Sequence, residues 1–412
     1  MKFIVQTLGC KTNQAESYKI EKILLEAGYK KADISEKPDI CIINTCAVTS
    51  KADQQSRQLI KKYLKNDIRV IATGCYIELN YDMHKSIPNL NILKNNEKFN
   101  LIDTLFPKLD GIIEPYYHPR HRPAVKVQDG CNNACSYCVI PMARGRSRSM
   151  PFKDIVEEII FYESLDYREI VLTGIHLGSY GQDFIQKVTL AQLLKQILRQ
   201  TKKVRFRLSS LEVNEIDDEL LELLDEKRIC KHLHIPLQSG DDIILGRMNR
   251  TYTTKEYKKM FDKIFSRFDD IAVGTDVITG FPGENEGSFI NTKQIVEELP
   301  FSYLHVFPFS ARQGTLAFNL PDKVDEETKM VRSAILRKIG ESKKLLYINY
   351  NIGKIKAAIV ETKTDSGFIA TTDNYIKIYL PENDMLKEGM LINVLIDGSK
   401  NFYATGRPLN NL

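Results

Sequence analysis

Tryptophan, a long apolar run and a recognisable secretory signal are all missing from this chain of 412 residues, which contains only eight cysteines. No segment approaches the roughly 20 consecutive apolar residues that a membrane-spanning helix needs. The N-terminal MKFIVQTLGCKTNQ has neither the apolar length nor the cleavage site of a secretory signal, so we expect a cytoplasmic protein with no membrane partner. A net charge of +5 permits an anionic partner without requiring one.

Cysteine is scarce but clustered. Three of the eight cysteines lie within GCNNACSYC, at Cys131, Cys135 and Cys138. In a reducing compartment, clustered thiols indicate metal binding or redox chemistry rather than disulfides. Three thiolates can hold three corners of a 4Fe-4S cluster and leave the fourth iron open, whereas structural zinc sites normally have four ligands. A zinc site completed by His118 or His121 is the alternative, although both histidines precede the strand that leads into this loop.

The first hundred residues alternate β-rich and helical segments, in the order KFIVQTL, SYKIEKILLEAG, DICIINT, SRQLIKKYL and RVIATG. This βαβαβ pattern predicts an α/β domain with a doubly wound parallel sheet. Four prolines then mark a predicted linker, at Pro107, Pro115, Pro119 and Pro123.

Six strand candidates between residues 124 and 309 alternate with helical segments, which predicts an open (β/α)6 partial TIM barrel. A long helix from about Asp325 to Tyr350 follows. The last part of the chain has short β-rich runs separated by Gly, Asp and Asn, and these predict a small antiparallel β-barrel. The predicted domains therefore span residues 1–115, 116–342 and 343–412.

The N-terminal domain contains a second group of three cysteines. Cys10, Cys46 and Cys75 each follow the end of one of the first three predicted strands. Because the carboxyl ends of parallel strands meet at one edge of a sheet, we expect these thiols to converge there. Cys41 lies within a predicted strand and Cys230 precedes one, so both are expected to be structural.

Several motifs follow the C-x-x-x-C-x-x-C loop in order: TGIHLGSYG, RLSSLE, HIPLQSGDD, RMNRTY, GTDVITGFPGE and PFSARQGT. Together with the cysteines they resemble the radical S-adenosylmethionine (SAM) methylthiotransferase family. The resemblance covers essentially the whole chain: an N-terminal methylthiotransferase domain, a radical SAM core and a C-terminal TRAM domain, which is an RNA-binding barrel. It implies an enzyme with two 4Fe-4S clusters, one that binds SAM at Cys131, Cys135 and Cys138, and one that holds the donated sulfur at the N-terminal thiols.

The resemblance also implies residues that bind SAM. Tyr137 stands where that superfamily places an aromatic ring near the adenine. Gly174 would let the backbone approach SAM closely, and Ser209, Glu212 and Gln238 are expected to hydrogen-bond its ribose or amine. Taken singly, each of these positions could equally have a structural role.

Two basic segments predict contacts with RNA. In the last domain Tyr375, Lys377 and Tyr379 alternate with aliphatic residues, which predicts an outward stripe suited to base stacking and to phosphate. The segment ARGRSRS directly follows the cluster loop and is expected to contact substrate phosphate or carboxylate. Its arginines are Arg144, Arg146 and Arg148. Ordinary solvated surface is the alternative interpretation of both segments.

Within the family, GCKTNQAES and TDNYIKIY most resemble the branch that converts N6-threonylcarbamoyladenosine next to the tRNA anticodon to its 2-methylthio derivative. Branches that modify isopentenyladenosine in tRNA or an aspartate of a ribosomal protein are alternatives. A noncatalytic, zinc-stabilised RNA-binding protein is an alternative of another class. The partners implied are tRNA and an electron donor such as flavodoxin or ferredoxin.

The resemblance implies a reaction that uses two molecules of SAM. One donates a methyl group to the sulfur carried at the N-terminal thiols, and the other yields a radical that removes the hydrogen at adenine C2. A radical is required because this C–H bond is too strong and too nonpolar for removal by an acid or a base.

Overall fold

A computed structural model describes residues 1–33, 36–66, 68–101, 105–106, 116 and 118–409. The chain forms two compact units. The first consists of Met1–Pro119, Asp129–Arg148 and Ser310–Phe318, and the second of Arg120–Gln128, Ser149–Phe309 and Asn319–Leu412. Pro107 and Pro115 of the predicted linker lie outside the described residues, and the predicted domain boundaries stay predictions.

A five-stranded parallel sheet forms the centre of the first unit, in the order β2-β1-β3-β4-β5. Its strands are β1 Lys2–Thr7, β2 Lys30–Lys31, β3 Ile40–Thr45, β4 Arg69–Gly74 and β5 Leu90–Ile92. The order reverses between β1 and β3, and ligands of doubly wound sheets bind at the carboxyl ends of the strands next to such a reversal. This arrangement confirms the predicted parallel sheet.

Helices follow β1, β3 and β4, because the segments after these strands place apolar residues at helical spacing. The helices of the first unit are α1 Lys11–Glu26, α2 Ser50–Leu64, α3 Cys75–Leu79, α4 Tyr81–His84 and α5 Ile140–Arg144. Thr49 caps α2, since its hydroxyl accepts a hydrogen bond from the Ala52 N–H at 3.1 Å.

The second unit begins with six parallel strands, grouped in two three-stranded sheets with the orders β10-β9-β6 and β11-β12-β13. The strands are β6 Ala124–Lys126, β9 Glu169–Thr173, β10 Arg205–Leu208, β11 His232–His234, β12 Ala272–Thr279 and β13 Tyr303–Pro308. Two short strands, β7 Gln128–Asp129 and β8 Arg148–Ser149, flank the loop that contains Cys131, Cys135 and Cys138, which is called the cluster loop below. Between the two sheets, Phe206 of β10 forms a bridge with Ile229, which precedes β11. The Leu211 N–H, which follows β10, donates a hydrogen bond to the His234 carbonyl of β11.

Helices separate the strands of this α/β core as predicted. They are α6 Phe152–Ser164, α7 Leu190–Gln200, α8 Asp218–Leu223, α9 Asp242–Arg247, α10 Thr254–Phe265, α11 Glu286–Glu298 and α12 Glu326–Tyr350. Asp325 caps the long α12 through the Thr328 N–H at 2.8 Å, close to its predicted start. Among the described residues no helix has both the length and the apolar composition that spanning a membrane requires.

The second unit ends in a closed barrel in the order β14-β15-β16-β18-β17. Its strands are β14 Ile355–Thr364, β15 Gly367–Thr372, β16 Lys377–Pro381, β17 Leu391–Lys400 and β18 Tyr403–Pro408. The barrel was predicted. Its pairing is antiparallel except between β16 and β18, which are parallel and close the barrel.

Candidate functional site

The three N-terminal thiols lie at the carboxyl ends of neighbouring strands in the first unit. Cys10 follows β1 and precedes α1, Cys46 directly follows β3, and Cys75 opens α3 after β4. Burial, together with a smaller effect of the nearby Cys75 and Cys10 thiols, raises the pKa of the Cys46 thiol to about 11. The parallel sheet thus brings the predicted thiols together at one edge.

Gly9 allows the first two of these loops to approach each other. Its φ is +98°, and a Cβ atom on it would lie 2.7 Å from the Cys46 sulfur. Any side chain here would therefore collide with a candidate ligand atom, so the LGC segment requires glycine for a steric reason.

Asn13 holds the same two loops in register. Its Nδ2 donates to the Leu8 carbonyl at 2.7 Å and to the Thr45 carbonyl at 3.0 Å, so it connects the chain before Cys10 to the chain before Cys46. The Asn13 side chain is buried. No sequence pattern identified Asn13 as part of the site, although it lies within the GCKTN segment that carries Cys10.

The second group of thiols occupies one loop of the first unit. Gly130 opens the loop at φ +72°, where a Cβ atom would lie 2.1 Å from the Arg146 carbonyl oxygen. The Cys131 N–H donates to the Gly145 carbonyl at 3.1 Å, and this bond closes the loop. Cys131, Cys135 and Cys138 are half-buried, as is the neighbouring Tyr137.

Backbone amides point at two of these sulfur atoms. The Asn133 N–H lies 3.3 Å from the Cys131 sulfur, and the Ile140 N–H lies 3.4 Å from the Cys138 sulfur. Hydrogen bonds of this kind favour the thiolate form, which is the form that binds metal. The loop therefore fits three-thiolate coordination of an iron–sulfur cluster.

The prediction that Arg144 of the ARGRSRS segment contacts substrate phosphate or carboxylate needs correction. Its side chain is completely buried and contacts Glu16 and Asp129 through Nη1, each at 2.8 Å. Arg144 is therefore not available to bind phosphate, because its charge is neutralised inside the protein. Arg146 and Arg148 are exposed, although Arg148 Nη2 lies 3.8 Å from Asp129 Oδ2, and their contact with a substrate stays a prediction.

The residues predicted to bind SAM in the second unit lie after the carboxyl ends of adjacent strands. Gly174 follows β9 and Ser209 follows β10, and the parallel pairing of these strands places the two positions side by side. A Cβ atom on Gly174 would lie 2.9 Å from the Gln128 Oε1. The absence of a side chain at Gly174 therefore also allows the Gln128 side chain to pack against this position. The Ser209 hydroxyl is buried and has no hydrogen-bond partner among the described residues.

Glu212 and Gln238 lie further along the same side of the core. One oxygen of Glu212 accepts a hydrogen bond from Arg250, while burial raises the pKa of this carboxyl. Gln238 adopts a left-handed φ of 61°, and its N–H donates to the Asp276 carbonyl at 2.8 Å. This conformation lets the chain turn away from β11 while it stays hydrogen-bonded to β12.

Three side chains of the second sheet could hold a metal ion or a substrate group. Asp276 Oδ1 lies 3.0 Å from His234 Nε2 and 3.1 Å from His305 Nδ1, and the ligating atoms of all three lie within 4.8 Å of one another. The Tyr303 hydroxyl lies 3.0 Å from His234 Nδ1. Hydrogen bonds alone satisfy this arrangement, because the carboxylate can accept from both imidazoles. The motifs HIPLQSGDD and GTDVITGFPGE contain His234 and Asp276, but no sequence pattern indicated that these two residues lie together with His305.

The prediction that Tyr375 belongs to an outward, RNA-binding stripe of the barrel also needs correction. The aliphatic residues of β16 point into the barrel as predicted, but the Tyr375 ring stacks on His232 with centroids 4.2 Å apart and lies 5.3 Å from the Tyr303 ring. Tyr375 is thus a packing residue between barrel and core, rather than part of a solvent-facing stripe. Lys377 pairs with Glu361, and Tyr379 packs against Tyr403 at 4.6 Å.

Comparisons with known proteins agree with this architecture. Residues 125–296 match the model of the radical SAM superfamily, and residues 2–93 match a family described as uncharacterized protein family UPF0004. The chain is 35% identical to the threonylcarbamoyladenosine tRNA methylthiotransferase MtaB of Bacillus subtilis, over 95% of this chain and 93% of that protein.

A second relative is named for a different substrate. The chain is 32% identical to the tRNA-2-methylthio-N(6)-dimethylallyladenosine synthase of Thermoanaerobacter sp., over 98% of this chain and 91% of that protein. Among solved structures, it is similar to the radical S-adenosylmethionine methyltransferase TsrM of Kitasatospora setae, with a TM-score of 0.55, 12% identity and coverage of 77% of this chain and 74% of that one. This last likeness concerns the fold alone.

Proposed function

The chain belongs to the radical SAM methylthiotransferase family, and we propose that it attaches a methylthio group to C2 of N6-threonylcarbamoyladenosine in tRNA. The observation that carries the proposal is the presence of two separate three-thiol sites, one at the edge of the parallel sheet and one in the loop after β7. Neither site has the four thiols of a closed structural zinc site within the described residues. The identity to MtaB of Bacillus subtilis supports the choice of substrate.

Membership in this family implies a 4Fe-4S cluster and SAM. Cys131, Cys135 and Cys138 would hold the cluster, and the amides of Asn133 and Ile140 would stabilise two of the sulfur ligands. When bound, the cluster supplies an electron that cleaves SAM to methionine and a 5′-deoxyadenosyl radical. The buried Ser209 hydroxyl, which has no hydrogen-bond partner among the described residues, would bind the ribose or the amine of SAM, and the Glu212 carboxylate held by Arg250 would assist it.

Cys10, Cys46 and Cys75 would hold a second 4Fe-4S cluster, which is part of the proposal. Asn13 fixes two of the three loops that carry these thiols, so the site is preorganised. For tRNA itself we propose Arg146, Arg148, Lys377 and Tyr379 as contacts, and an electron donor of the flavodoxin or ferredoxin type as the reductant.

Iron content tests the two clusters. After anaerobic reconstitution we expect about eight irons and about eight sulfides per chain, since each cubane contains four of each. Cys135→Ala should retain about half of the iron and lose SAM cleavage. Cys230→Ala is the matched control, because this buried thiol lies in the second unit and should leave the iron content unchanged. Stoichiometric zinc without a visible chromophore would instead favour the zinc-stabilised RNA-binding protein.

Mass spectrometry of tRNA nucleosides tests the substrate. A strain that lacks this chain should accumulate N6-threonylcarbamoyladenosine without its 2-methylthio derivative, and the wild-type chain should restore the derivative. Complementation with Cys135→Ala provides the inactive control. Unchanged 2-methylthio-N6-threonylcarbamoyladenosine in the deletion strain would reject the proposed substrate, and loss of methylthio-isopentenyladenosine would point to the related branch.

A further inference from the structure

A buried ion network surrounds Arg144 in the first unit. The Glu16 carboxylate forms salt bridges with the guanidinium of Arg144 and with the ammonium of Lys98, whose Nζ lies 2.7 Å from Glu16 Oε2. Asp129 supplies the second negative charge at 2.8 Å from Arg144. Glu16, Arg144 and Lys98 are at most 1% exposed as side chains. Two cations and two anions therefore balance inside the protein, where an unpaired charge would be strongly destabilising.

Arg144 connects this network to both groups of thiols. It ends α5, six residues after Cys138 of the cluster loop. Its Nη2 donates to the Asn13 Oδ1, and Asn13 is the residue that holds the loops before Cys10 and Cys46. One side chain thus joins the SAM-cluster loop to the framework of the N-terminal site.

Arg144 has one nitrogen that takes no part in this network. Its Nε is buried and has no hydrogen-bond partner among the described residues. Cys75 and Ala143, the residue before Arg144, pack in the same apolar core. Burial raises the pKa of the Cys75 thiol, and the Arg144 charge is the largest effect that opposes this rise.

We propose that Arg144 is a positioning and tuning residue of the N-terminal cluster: it fixes Asn13 and donates a hydrogen bond from Nε to the sulfur of Cys75 when that sulfur is a ligand. The inference rests on the proposed function, because it assumes a cluster at Cys10, Cys46 and Cys75. Positive charge and hydrogen bonds at ligand sulfurs stabilise the reduced, more negative state of a cluster and so raise its reduction potential. Removal of Arg144 should therefore lower that potential.

The test uses the full-length chain with Cys131, Cys135 and Cys138 changed to alanine, so that the N-terminal site alone can bind iron. Arg144→Lys and Arg144→Met are introduced into this background, and Arg146→Met is the matched control because Arg146 is an exposed arginine of the same segment. The measurements are iron and sulfide content, the electron paramagnetic resonance spectrum of the reduced protein, and the midpoint potential from a redox titration.

We expect about four irons per chain in the background. The midpoint potential should shift downward in Arg144→Lys, which keeps the charge without a planar guanidinium, and further downward in Arg144→Met. The Arg146→Met control should match the background. If Arg144→Met fails to fold or to bind iron, the Arg144→Lys shift decides the question.

Two outcomes would contradict the inference in different ways. An intact cluster whose spectrum and midpoint potential are unchanged in both Arg144 variants overturns the role of Arg144 and leaves the proposed function standing. A background protein that binds no iron–sulfur cluster although it folds overturns the second cluster itself, and with it this part of the proposed function.

Discussion

Some buried polar side chains of this protein form hydrogen bonds that stabilise the fold, whereas others have no hydrogen-bond partner among the described residues and are candidates to bind a ligand. Ser333 and Ser209 are both buried, but the Ser333 hydroxyl hydrogen-bonds Thr279 at 2.7 Å, whereas the Ser209 hydroxyl has no partner among the described residues. An unsatisfied buried polar group costs free energy, so its presence needs a compensating role. Binding of SAM would provide that role.

Ser209→Ala should weaken SAM binding by about fivefold, the equivalent of one hydrogen bond, and should leave thermal stability unchanged or slightly higher. Ser333→Ala is the matched control and should do the opposite, lowering stability by about 1 kcal/mol with no effect on SAM affinity. Equilibrium binding of SAM to the reconstituted protein and a thermal unfolding curve measure both effects. Equal SAM affinity of wild type and Ser209→Ala would exclude this hydroxyl from the SAM site.

The end of one strand shows how secondary structure alone can mislead. Alternation along β16 places its aliphatic residues in the barrel, as expected. Tyr375, however, precedes the strand in a turn with φ of 66°, and this conformation directs its ring onto His232 and beneath the Arg207 guanidinium, 5.2 Å away. The turn therefore uses Tyr375 for packing and leaves Tyr379 as the aromatic candidate for RNA.

Substitution of the two tyrosines should separate these roles. Tyr375→Ala removes two aromatic contacts and a cation–π contact, so it should lower the free energy of unfolding by about 2 to 4 kcal/mol. Tyr379→Ala should weaken tRNA binding with a smaller loss of stability, because stacking on a base contributes about 1 to 3 kcal/mol. Calorimetry and a tRNA titration at fixed salt distinguish the outcomes. A larger loss of tRNA affinity in Tyr375→Ala than in Tyr379→Ala, without a loss of stability, would show that Tyr375 contacts RNA as the sequence predicted.

Across the molecule, the second unit joins its α/β core to the terminal barrel through buried charge. Glu169 is completely buried between Arg205 and Arg207, and the two guanidiniums also donate to carbonyls of the barrel, at Ala357, Thr371, Thr372 and Asp373. Burial alone would raise the pKa of Glu169, but the charges of Arg207, Arg205 and Arg122 hold it well below its ordinary range. Core and barrel should therefore unfold together.

Acid should weaken this junction. Because the folded-state pKa of Glu169 is depressed, its contribution to stability is complete above the unfolded-state value and is lost as pH falls through the folded value. Glu169→Gln should lower the unfolding free energy of the second unit by about 3 to 5 kcal/mol at pH 7 and flatten its dependence on acid. Glu298→Gln is the control, since Glu298 forms an exposed pair with Lys258. Calorimetry at several pH values measures both, and an unchanged acid dependence in Glu169→Gln would contradict the prediction.

Local patterns were enough to identify the α/β fold, the partial barrel, the terminal barrel and the candidate cysteines. Residue periodicity reports which face of a strand or helix is buried, and thiol spacing reports coordination chemistry, so both can be recognised along the chain. The separation of Cys41 and Cys230 from the strand-end cysteines also required only their positions relative to predicted strands, and both thiols are buried in the structure.

Which arginine of ARGRSRS turns inward depended on the folded chain. Arg144 is buried because Glu16, 128 residues earlier, and Asp129 neutralise it, whereas the chemically identical Arg146 stays exposed. Tyr375 is likewise fixed by His232 and Tyr303, which are distant in sequence. Burial of a charge or a ring depends on partners that only long-range packing brings into contact, and one-dimensional patterns contain no record of those distances.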